Sequence, residues 1–282
     1  MKANRASFGT RVSEAVSRLG PLCAGIDPSS ALLAQWGLRD DPAGLRAFCE
    51  ICVEAFAEVV AVIKPQVAFF ERFGSAGMAE VERLIASAGD AGLIVIADAK
   101  RGDIDSTAAA YAQAYLDDAS PLAADALTVQ AYLGLGALDP LVTLAASSGR
   151  GVIVVVRSSN PQGRPLQEAI TKSGVAVEDM LLAEIAALNA SPEIPSGTVG
   201  AVVGATLAPS QFPLSQLGGI ILAPGLGAQG ATPNDVAARF AGCARGTILA
   251  STSRSLLAQG PDISQLRKSA SELAHELAVL VG

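Results

Sequence analysis

The feature that most restricts how this sequence can fold is the alternation of short apolar runs with stretches of helical periodicity along its 282 residues. Eight runs rich in β-branched residues are candidate strands: Leu22–Ile26, Val59–Ile63, Leu93–Ala97, Ala126–Gln130, Val152–Val156, Ala201–Gly204, Gly219–Leu222 and Thr247–Ala250. Helical spacing of apolar residues recurs between most of them, at Leu45–Val60, Ala76–Ala88, Ser106–Leu116, Gly136–Ser147 and Val177–Asn189. Continuous apolar strands are typical of a parallel sheet covered by helices.

Eight successive units of strand and helix predict an α/β fold that closes as a single (β/α)8 TIM barrel over residues 1–282, because such barrels reach about 250 residues around one core. An open, doubly wound sheet is the alternative. We expect a helix at about 5–19 before the first strand and a final amphipathic helix at Leu266–Val281. Residues 160–174, with two prolines and two glycines, form a candidate lid loop, although a surface insertion would have the same composition.

Composition excludes several classes of partner. The formal net charge is -7, whereas nucleic acids and anionic membranes bind basic surfaces. The first 19 residues lack the apolar centre of a signal peptide, and no later stretch has 18 uninterrupted apolar residues. We therefore expect a cytoplasmic protein without an export signal or membrane anchor, in which local cations hold any anionic ligand.

Cysteine and histidine content excludes further chemistries. The four cysteines follow no secreted framework, which favours a reducing compartment. Cys49 and Cys52 form a C-x-x-C within a helical pattern, and without a second pair of ligands they are interpreted as small core residues. The single histidine, His275, lies beside Glu276 in the final helix and is interpreted as structural. Triads and multi-histidine metal sites are thereby excluded.

Charged residues follow four of the predicted strands, where the reacting groups of a parallel barrel collect. They are Asp27 after strand one, Lys64 after strand two, Asp98 and Lys100 after strand three, and Arg157 after strand five. Asp98 and Lys100 are two residues apart on a strand and share a face, so Lys64 on the adjacent strand should lie beside them. Solvated loop charges are the alternative, but four charged strand ends at one barrel mouth favour a reactive site.

A glycine-rich cluster, Pro224-Gly-Leu-Gly-Ala-Gln229-Gly, follows the seventh strand, and Ser251-Thr-Ser253-Arg254 follows the eighth. Loops at these places commonly bind phosphate through backbone amides and a helix N-terminus, to which Arg254 adds a charge. The cluster also spells G-x-G-x-x-G, but a dinucleotide site requires that turn in an early βαβ unit. Ordinary tight turns beside a surface arginine are the remaining alternative.

Together these residues resemble the orotidine 5′-phosphate decarboxylases. The family signature is an apolar strand followed by D-x-K-x-x-D and, four residues later, a threonine: here Asp98, Lys100, Asp103 and Thr107. The match covers nearly the full chain and includes, in order, Gly25-Ile-Asp27, Lys64, Ser159, Pro224-Gly-Leu-Gly-Ala-Gln229 and Arg254. Arg157-Ser-Ser-Asn-Pro161 resembles a longer bacterial subfamily found in actinobacteria.

The resemblance implies a cofactor-free carboxy-lyase that converts orotidine 5′-phosphate to UMP and carbon dioxide in pyrimidine biosynthesis. It implies that Lys100 protonates C6 of the pyrimidine while Asp98 lies beside the departing carboxylate. It also implies that Asp103 and Thr107 reach the ribose in a neighbouring subunit's site, so that the active unit is a homodimer with shared active sites.

The resemblance assigns the remaining contacts to the ribose, the base and the phosphate. Asp27 and Lys64 would bind the ribose, and Ser159 would contact the pyrimidine, with Ser158 as an adjacent competitor. The residues implied for the phosphate end are Pro224, Gly227, Gln229, Ser253 and Arg254, with amides supplied from the region of Gly227 and Ser253.

Two rival functions use the same barrel. Magnesium-dependent sugar-phosphate decarboxylases and aldolases share D-x-K-x-x-D, but at the comparable strand-two position they have a glutamate that helps to hold the metal. This chain has Lys64 there, so we expect no metal. A barrel that only binds phosphate ligands is the second rival, but loss of the charged set would then be expected, and the sequence retains it.

Overall fold

The computed structural model describes residues 5–281 of the chain and contains a closed barrel of eight parallel strands in the order β1 to β8, with β8 paired to β1. The strands are β1 (Leu22–Ile26), β2 (Val62–Pro65), β3 (Ile94–Arg101), β4 (Ala126–Gln130), β5 (Gly151–Arg157), β6 (Val199–Val203), β7 (Ile221–Pro224) and β8 (Ile248–Thr252). The predicted (β/α)8 fold is confirmed, and the open sheet is excluded.

Helices surround the barrel. Within residues 5–281 they are α1 (Phe8–Leu19), α2 (Ser30–Gln35), α3 (Pro42–Phe56), α4 (Ala68–Glu71), α5 (Gly74–Asp90), α6 (Asp105–Leu116), α7 (Asp139–Ser148), α8 (Arg164–Gln167), α9 (Val177–Ala190), α10 (Pro233–Arg239), α11 (Arg254–Leu257) and α12 (Ile263–Val281). Short 3-10 turns lie at Leu135–Leu138, Pro161–Gly163 and Leu214–Gln216. No helix of the described chain is both long and apolar enough to cross a membrane.

The amino end of the barrel is closed by α1. Ser7 begins this helix by accepting a hydrogen bond from the Thr10 amide, which explains why the helix expected from about residue 5 starts at Phe8. Phe8 and Val12 are fully buried and pack on the side chains that fill the barrel. With this end sealed, the carboxyl ends of the strands form the open mouth.

Alternate residues of each strand point into the barrel, and this alternation carries the core into the mouth. The inward side chains include Val62 of β2 and Ile96 of β3. Two residues further along, the same alternation directs Lys64 and Asp98 inward. The positions of these charged groups are therefore a direct consequence of barrel packing.

Several predicted boundaries were wrong, and in two regions the structure shows why. The helix predicted at Leu45–Val60 ends at Phe56, and Glu58 has a positive φ of 65°, so the strand predicted at Val59–Ile63 is displaced to β2. The strand predicted at Leu93–Ala97 continues to Arg101 in β3. The last four residues of β3, Asp98 to Arg101, are mostly polar because this end of the strand lies at the site. The apolar pattern that predicted the strand therefore does not include them.

Candidate active site

One carboxylate lies between two ammonium groups at the mouth of the barrel. Lys64 Nζ donates to Asp98 Oδ2 at 2.7 Å, and Lys100 Nζ donates to Asp98 Oδ1 at 2.6 Å. Lys64 and Asp98 are buried, whereas the Lys100 side chain is 38% exposed. The structure thus brings these three residues together as expected, with Lys100 the most accessible of them.

Burial and ion pairing have opposite effects on the pKa of the Asp98 carboxylate. Burial alone would raise the pKa of Asp98, but the Lys64 and Lys100 ammonium groups and their hydrogen bonds hold this pKa well below its usual value. Burial likewise lowers the pKa of Lys64, whereas Asp98 and Asp27 raise it above its ordinary value. Asp98 and Lys64 are therefore ionised at neutral pH.

Two polar residues that sequence reasoning missed complete this network. Thr128 of β4 accepts the Lys100 amide at 3.1 Å and donates its hydroxyl to Asp98 Oδ1 at 2.8 Å. Gln66 Oε1 accepts from Lys100 Nζ at 3.3 Å. Thr128 interrupts the apolar run from Ala126 to Val129, and that interruption was the available signal. Gln66 directly follows the Lys64-Pro65 strand end.

Unpartnered polar atoms indicate that the cavity beside Lys64 and Asp98 is a binding site. Asp27 Oδ1 and Ser253 Oγ are buried and have no hydrogen-bond partner among the described residues. Both residues line the cavity that also contains Lys64 and Asp98. Because buried polar atoms are nearly always hydrogen-bonded, these two oxygens are suited to the polar groups of a ligand.

The loop after β7 is held by β8 and shaped by glycines. Gly227 has a φ of 77°, and a side chain there would collide with Ser255. Its amide donates to the Ala231 carbonyl at 2.9 Å, so in this conformation Gly227 shapes the loop and its N–H is not free for a ligand. Thr252 Oγ1 donates to the Leu226 carbonyl at 3.0 Å, which fastens the loop to the end of β8.

Ala228, Gln229, Arg254 and Pro224 line the cavity at its far end. The Ala228 and Gln229 amides and the Arg254 guanidinium have no hydrogen-bond or ion-pair partner within residues 5–281. Backbone amides beside an unpaired guanidinium are the donors that phosphate groups require. This end of the cavity has the chemistry of a phosphate site.

The two adjacent serines after β5 differ in their partners. Ser159 Oγ donates to Gln229 Oε1 at 2.8 Å and so connects this loop to the loop after β7. Ser158 is engaged by Gln167 of α8, whose amide group accepts the Ser158 N–H and donates to its hydroxyl. Of the two, Ser159 is therefore the serine directed toward the cavity loops.

Asp103 and Thr107 lie outside this cavity. The Asp103 carboxylate accepts the amide of the next residue, Ile104, at 2.8 Å, and Thr107 is exposed on α6. Neither residue forms a hydrogen bond or ion pair with Lys100 in the described structure. Ile104 between them is 50% exposed.

The expectation that Arg157 belongs to the charged mouth was wrong. Arg157 is buried, pairs with Glu178 of α9 and donates to the Ala208 carbonyl at 2.6 Å. Strict alternation from inward-facing Ile153 would direct Arg157 inward, but the pairing of β5 with β6 shifts register between Val155 and Arg157. Such a shift turns the next side chain to the opposite face, here toward the helices.

These features define a class of protein: a (β/α)8 enzyme with a Lys-Asp-Lys array at the ends of β2 and β3 and phosphate-type loops after β7 and β8. The chain belongs to the orotidine 5′-phosphate decarboxylase / HUMPS family, whose model matches residues 20–268.

Relatives of known name cover the whole chain. It is 50% identical to the orotidine 5′-phosphate decarboxylase of Streptomyces coelicolor over 97% of this chain and 98% of that protein. The crystal structure of a Streptomyces avermitilis protein assigned to the same activity is 50% identical, with a TM-score of 0.94 and coverage of 99% and 97%. The Leishmania donovani OMP decarboxylase structure is 28% identical, with a TM-score of 0.76 and coverage of 97% and 98%.

Proposed function

We propose that this chain is a carboxy-lyase that converts orotidine 5′-phosphate to UMP and carbon dioxide in pyrimidine biosynthesis. The observation that carries the proposal is the ionised Asp98 held between Lys64 and Lys100, in a cavity that extends to Gln229 and Arg254. One end of this cavity suits a reacting carboxylate and the other a phosphate. The relatives at 50% identity carry the same activity in their names.

Lys100 supplies the proton in the proposed reaction. When the bond between C6 and the carboxylate breaks, its electron pair stays on C6, in an orbital that the pyrimidine ring does not delocalise by simple resonance. The ammonium of Lys100 stabilises this charge and then transfers a proton to C6, leaving a neutral amine that water reprotonates. The Lys100 side chain is 38% exposed and bonded to Asp98, in contrast to buried Lys64, and this accessibility supports the role.

Asp98 opposes the substrate carboxylate. Its low pKa keeps it ionised at neutral pH, and two like charges about 4 Å apart cost roughly 4 kcal/mol at an effective dielectric near 20. Loss of carbon dioxide removes this repulsion. The phosphate end contributes binding energy far from the broken bond, which organises the charged array.

The remaining residues bind the substrate. Asp27 and Lys64 bind the ribose hydroxyls, and the unpartnered Asp27 Oδ1 supports this assignment. Ser159 contacts the pyrimidine, since Ser158 is occupied by Gln167. The residues proposed for the phosphate end are Pro224, Gln229, Ser253 and Arg254, with Gly227 acting through the conformation of its loop.

The active unit proposed is a homodimer in which Asp103 and Thr107 complete the partner's site. Both lie outside their own cavity. The neighbouring Ile104, Tyr132 and Leu133 are 50%, 78% and 55% exposed, a group of apolar side chains that a second subunit would cover.

Further proposals concern the organisation of the chain and its surroundings. The chain acts as a single domain, supported by the pairing of β8 with β1, and residues 160–174 act as a lid, supported by the exposed Leu166 and Ile170. A cytoplasmic location agrees with four free thiols. The net charge of -7 argues against a nucleic-acid partner.

A magnesium-dependent sugar-phosphate lyase is the rival, and one experiment separates the two. Purified protein is incubated with orotidine 5′-phosphate in the presence and absence of EDTA, and UMP is identified by mass spectrometry. We expect equal UMP formation in both samples, because the Lys64 ammonium already pairs with the Asp98 carboxylate, with 2.7 Å between Nζ and Oδ2. Activity that EDTA abolishes and added magnesium restores would favour the rival.

A further inference from the structure

The pairing of β3 with β4 is interrupted at the reacting residues. Ala97 pairs with Leu127 and Arg101 pairs with Val129, so three residues of β3, from Asp98 to Lys100, lie opposite the single residue Thr128. Within this bulge Lys100 has a φ of 48°. Residues with a Cβ rarely adopt this left-handed conformation, and where they do so at a site the surrounding contacts must hold it.

The Thr128 side chain supplies the contact that the ladder has lost. Its hydroxyl oxygen accepts the Lys100 amide at 3.1 Å, in place of a backbone carbonyl of β4. The same hydroxyl donates to Asp98 Oδ1 at 2.8 Å, the oxygen that also accepts Lys100 Nζ. Thr128 is fully buried, so its hydroxyl bonds these two partners and not solvent.

We infer that Thr128 is a positioning residue for decarboxylation: one hydroxyl fixes the backbone of Lys100 and the carboxylate of Asp98 relative to each other. Threonine suits this position because its β-branched side chain has a restricted χ1 and its hydroxyl both donates and accepts. Without the hydroxyl, the Lys100 amide loses its hydrogen-bond partner, and the left-handed conformation loses its support. The inference rests on the proposed role of Lys100.

Three variants of the full-length protein test the positioning role of Thr128. Thr128→Val removes the hydroxyl at constant shape, and Thr128→Ser retains it. Thr198→Val is the matched control, because Thr198 is equally buried at the amino end of the barrel and its hydroxyl donates only to the Pro195 carbonyl. For each variant kcat, KM for orotidine 5′-phosphate and Kd for UMP are measured.

We expect Thr128→Val to lower kcat by about 10- to 100-fold, because it removes the hydroxyl that bonds both the Lys100 amide and Asp98. KM and the Kd for UMP should change by less than about threefold, since the phosphate end is untouched. Thr128→Ser should recover most of kcat, and Thr198→Val should leave it unchanged. The inference is overturned if Thr128→Val matches Thr198→Val, or if Thr128→Ser is as slow as Thr128→Val.

A second measurement keeps the inference testable if Thr128→Val fails to fold. Amide hydrogen exchange of the unmodified protein, followed by NMR, should show slow exchange at Lys100 despite its position at the open mouth. Exchange there as fast as in an unprotected loop would overturn the inference. Lys100→Ala separates the two proposals: an active Lys100→Ala enzyme contradicts the role of Lys100 itself, whereas an inactive one beside a fast Thr128→Val enzyme contradicts only the role of Thr128.

Discussion

The two ends of the barrel each contain a buried aspartate that contacts two cations, and they use it differently. At the amino end, Asp125 pairs with Arg5 and Arg11 and accepts the Val95 amide at 2.8 Å. At the mouth, Asp98 pairs with Lys64 and Lys100. The two aspartates are equally buried, each 8% exposed, so burial and charge pattern alone do not distinguish a structural carboxylate from a reacting one.

The difference lies in the cations and in the backbone. Arginine remains protonated at any relevant pH and binds carboxylates in a fixed geometry, whereas the lysine ammonium is a compact charge that is able to transfer a proton. At the mouth, Lys100 also has a left-handed backbone conformation, and Asp27 and Ser253 have unpartnered polar atoms. Arginine pairs stabilise the sealed end, while lysine ammonium groups and the unpartnered oxygen atoms of Asp27 and Ser253 characterise the mouth.

The largest expected effect comes from removing a cation at each end. Lys100→Ala should lower kcat by at least about 10⁴-fold, because it removes both the stabilising charge and the proton donor. Binding of UMP, measured by calorimetry, should remain detectable. Arg11→Ala should leave kcat nearly unchanged and lower the melting temperature. Near-normal turnover by Lys100→Ala would contradict its assignment as the acid.

The next largest effect is expected when the aspartate at each end is replaced by asparagine. Asp98→Asn should lower kcat by about 10²- to 10³-fold, since it removes the charge that opposes the substrate carboxylate. Asp125→Asn should leave kcat of the folded enzyme unchanged and reduce the free energy of unfolding by about 2–4 kcal/mol. Kinetics and urea unfolding of both variants measure these effects. If Asp98→Asn and Asp125→Asn lowered kcat equally, the two aspartates would not differ in their role in the reaction.

The pH dependence of stability should report the low pKa of Asp98. A carboxylate whose pKa is lower in the folded chain stabilises that state above its unfolded pKa of about 3.9, and loses this contribution as pH falls toward the folded pKa. The stability difference between the unmodified protein and Asp98→Asn should therefore be largest near pH 7 and shrink below about pH 5. Urea unfolding at fixed protein concentration tests this, and a difference that grows toward low pH would contradict it.

The smallest expected effect concerns the proposed contribution of a second subunit to the mouth. Mixing Asp103→Ala chains with Lys100→Ala chains should give heterodimers with one intact site, and so restore about a quarter of the unmodified activity. Verified heterodimers without recovered activity would count against sharing of the site.

Much of the fold was predictable because it depends on patterns that the sequence displays directly. Alternation of apolar runs and helical stretches predicted the barrel, and charged strand ends predicted the meeting of Lys64, Asp98 and Lys100. Both predictions depend only on inward and outward alternation and on the shared direction of parallel strands.

Several features that escaped prediction depend on register. Bulges near Lys100 and Arg157 change which face the following side chain occupies, and no local pattern in the sequence marks them. Arg157 was therefore assigned to the wrong face. Thr128 was overlooked, because a threonine within a strand is ordinary unless the residue opposite it is known.

A continuous absorbance assay with the purified, unmodified protein tests most directly whether the mouth of this barrel decarboxylates orotidine 5′-phosphate. We expect complete loss of the orotate chromophore, with one carbon dioxide released for each UMP formed. An unchanged spectrum, from protein that is folded and binds UMP, would contradict it.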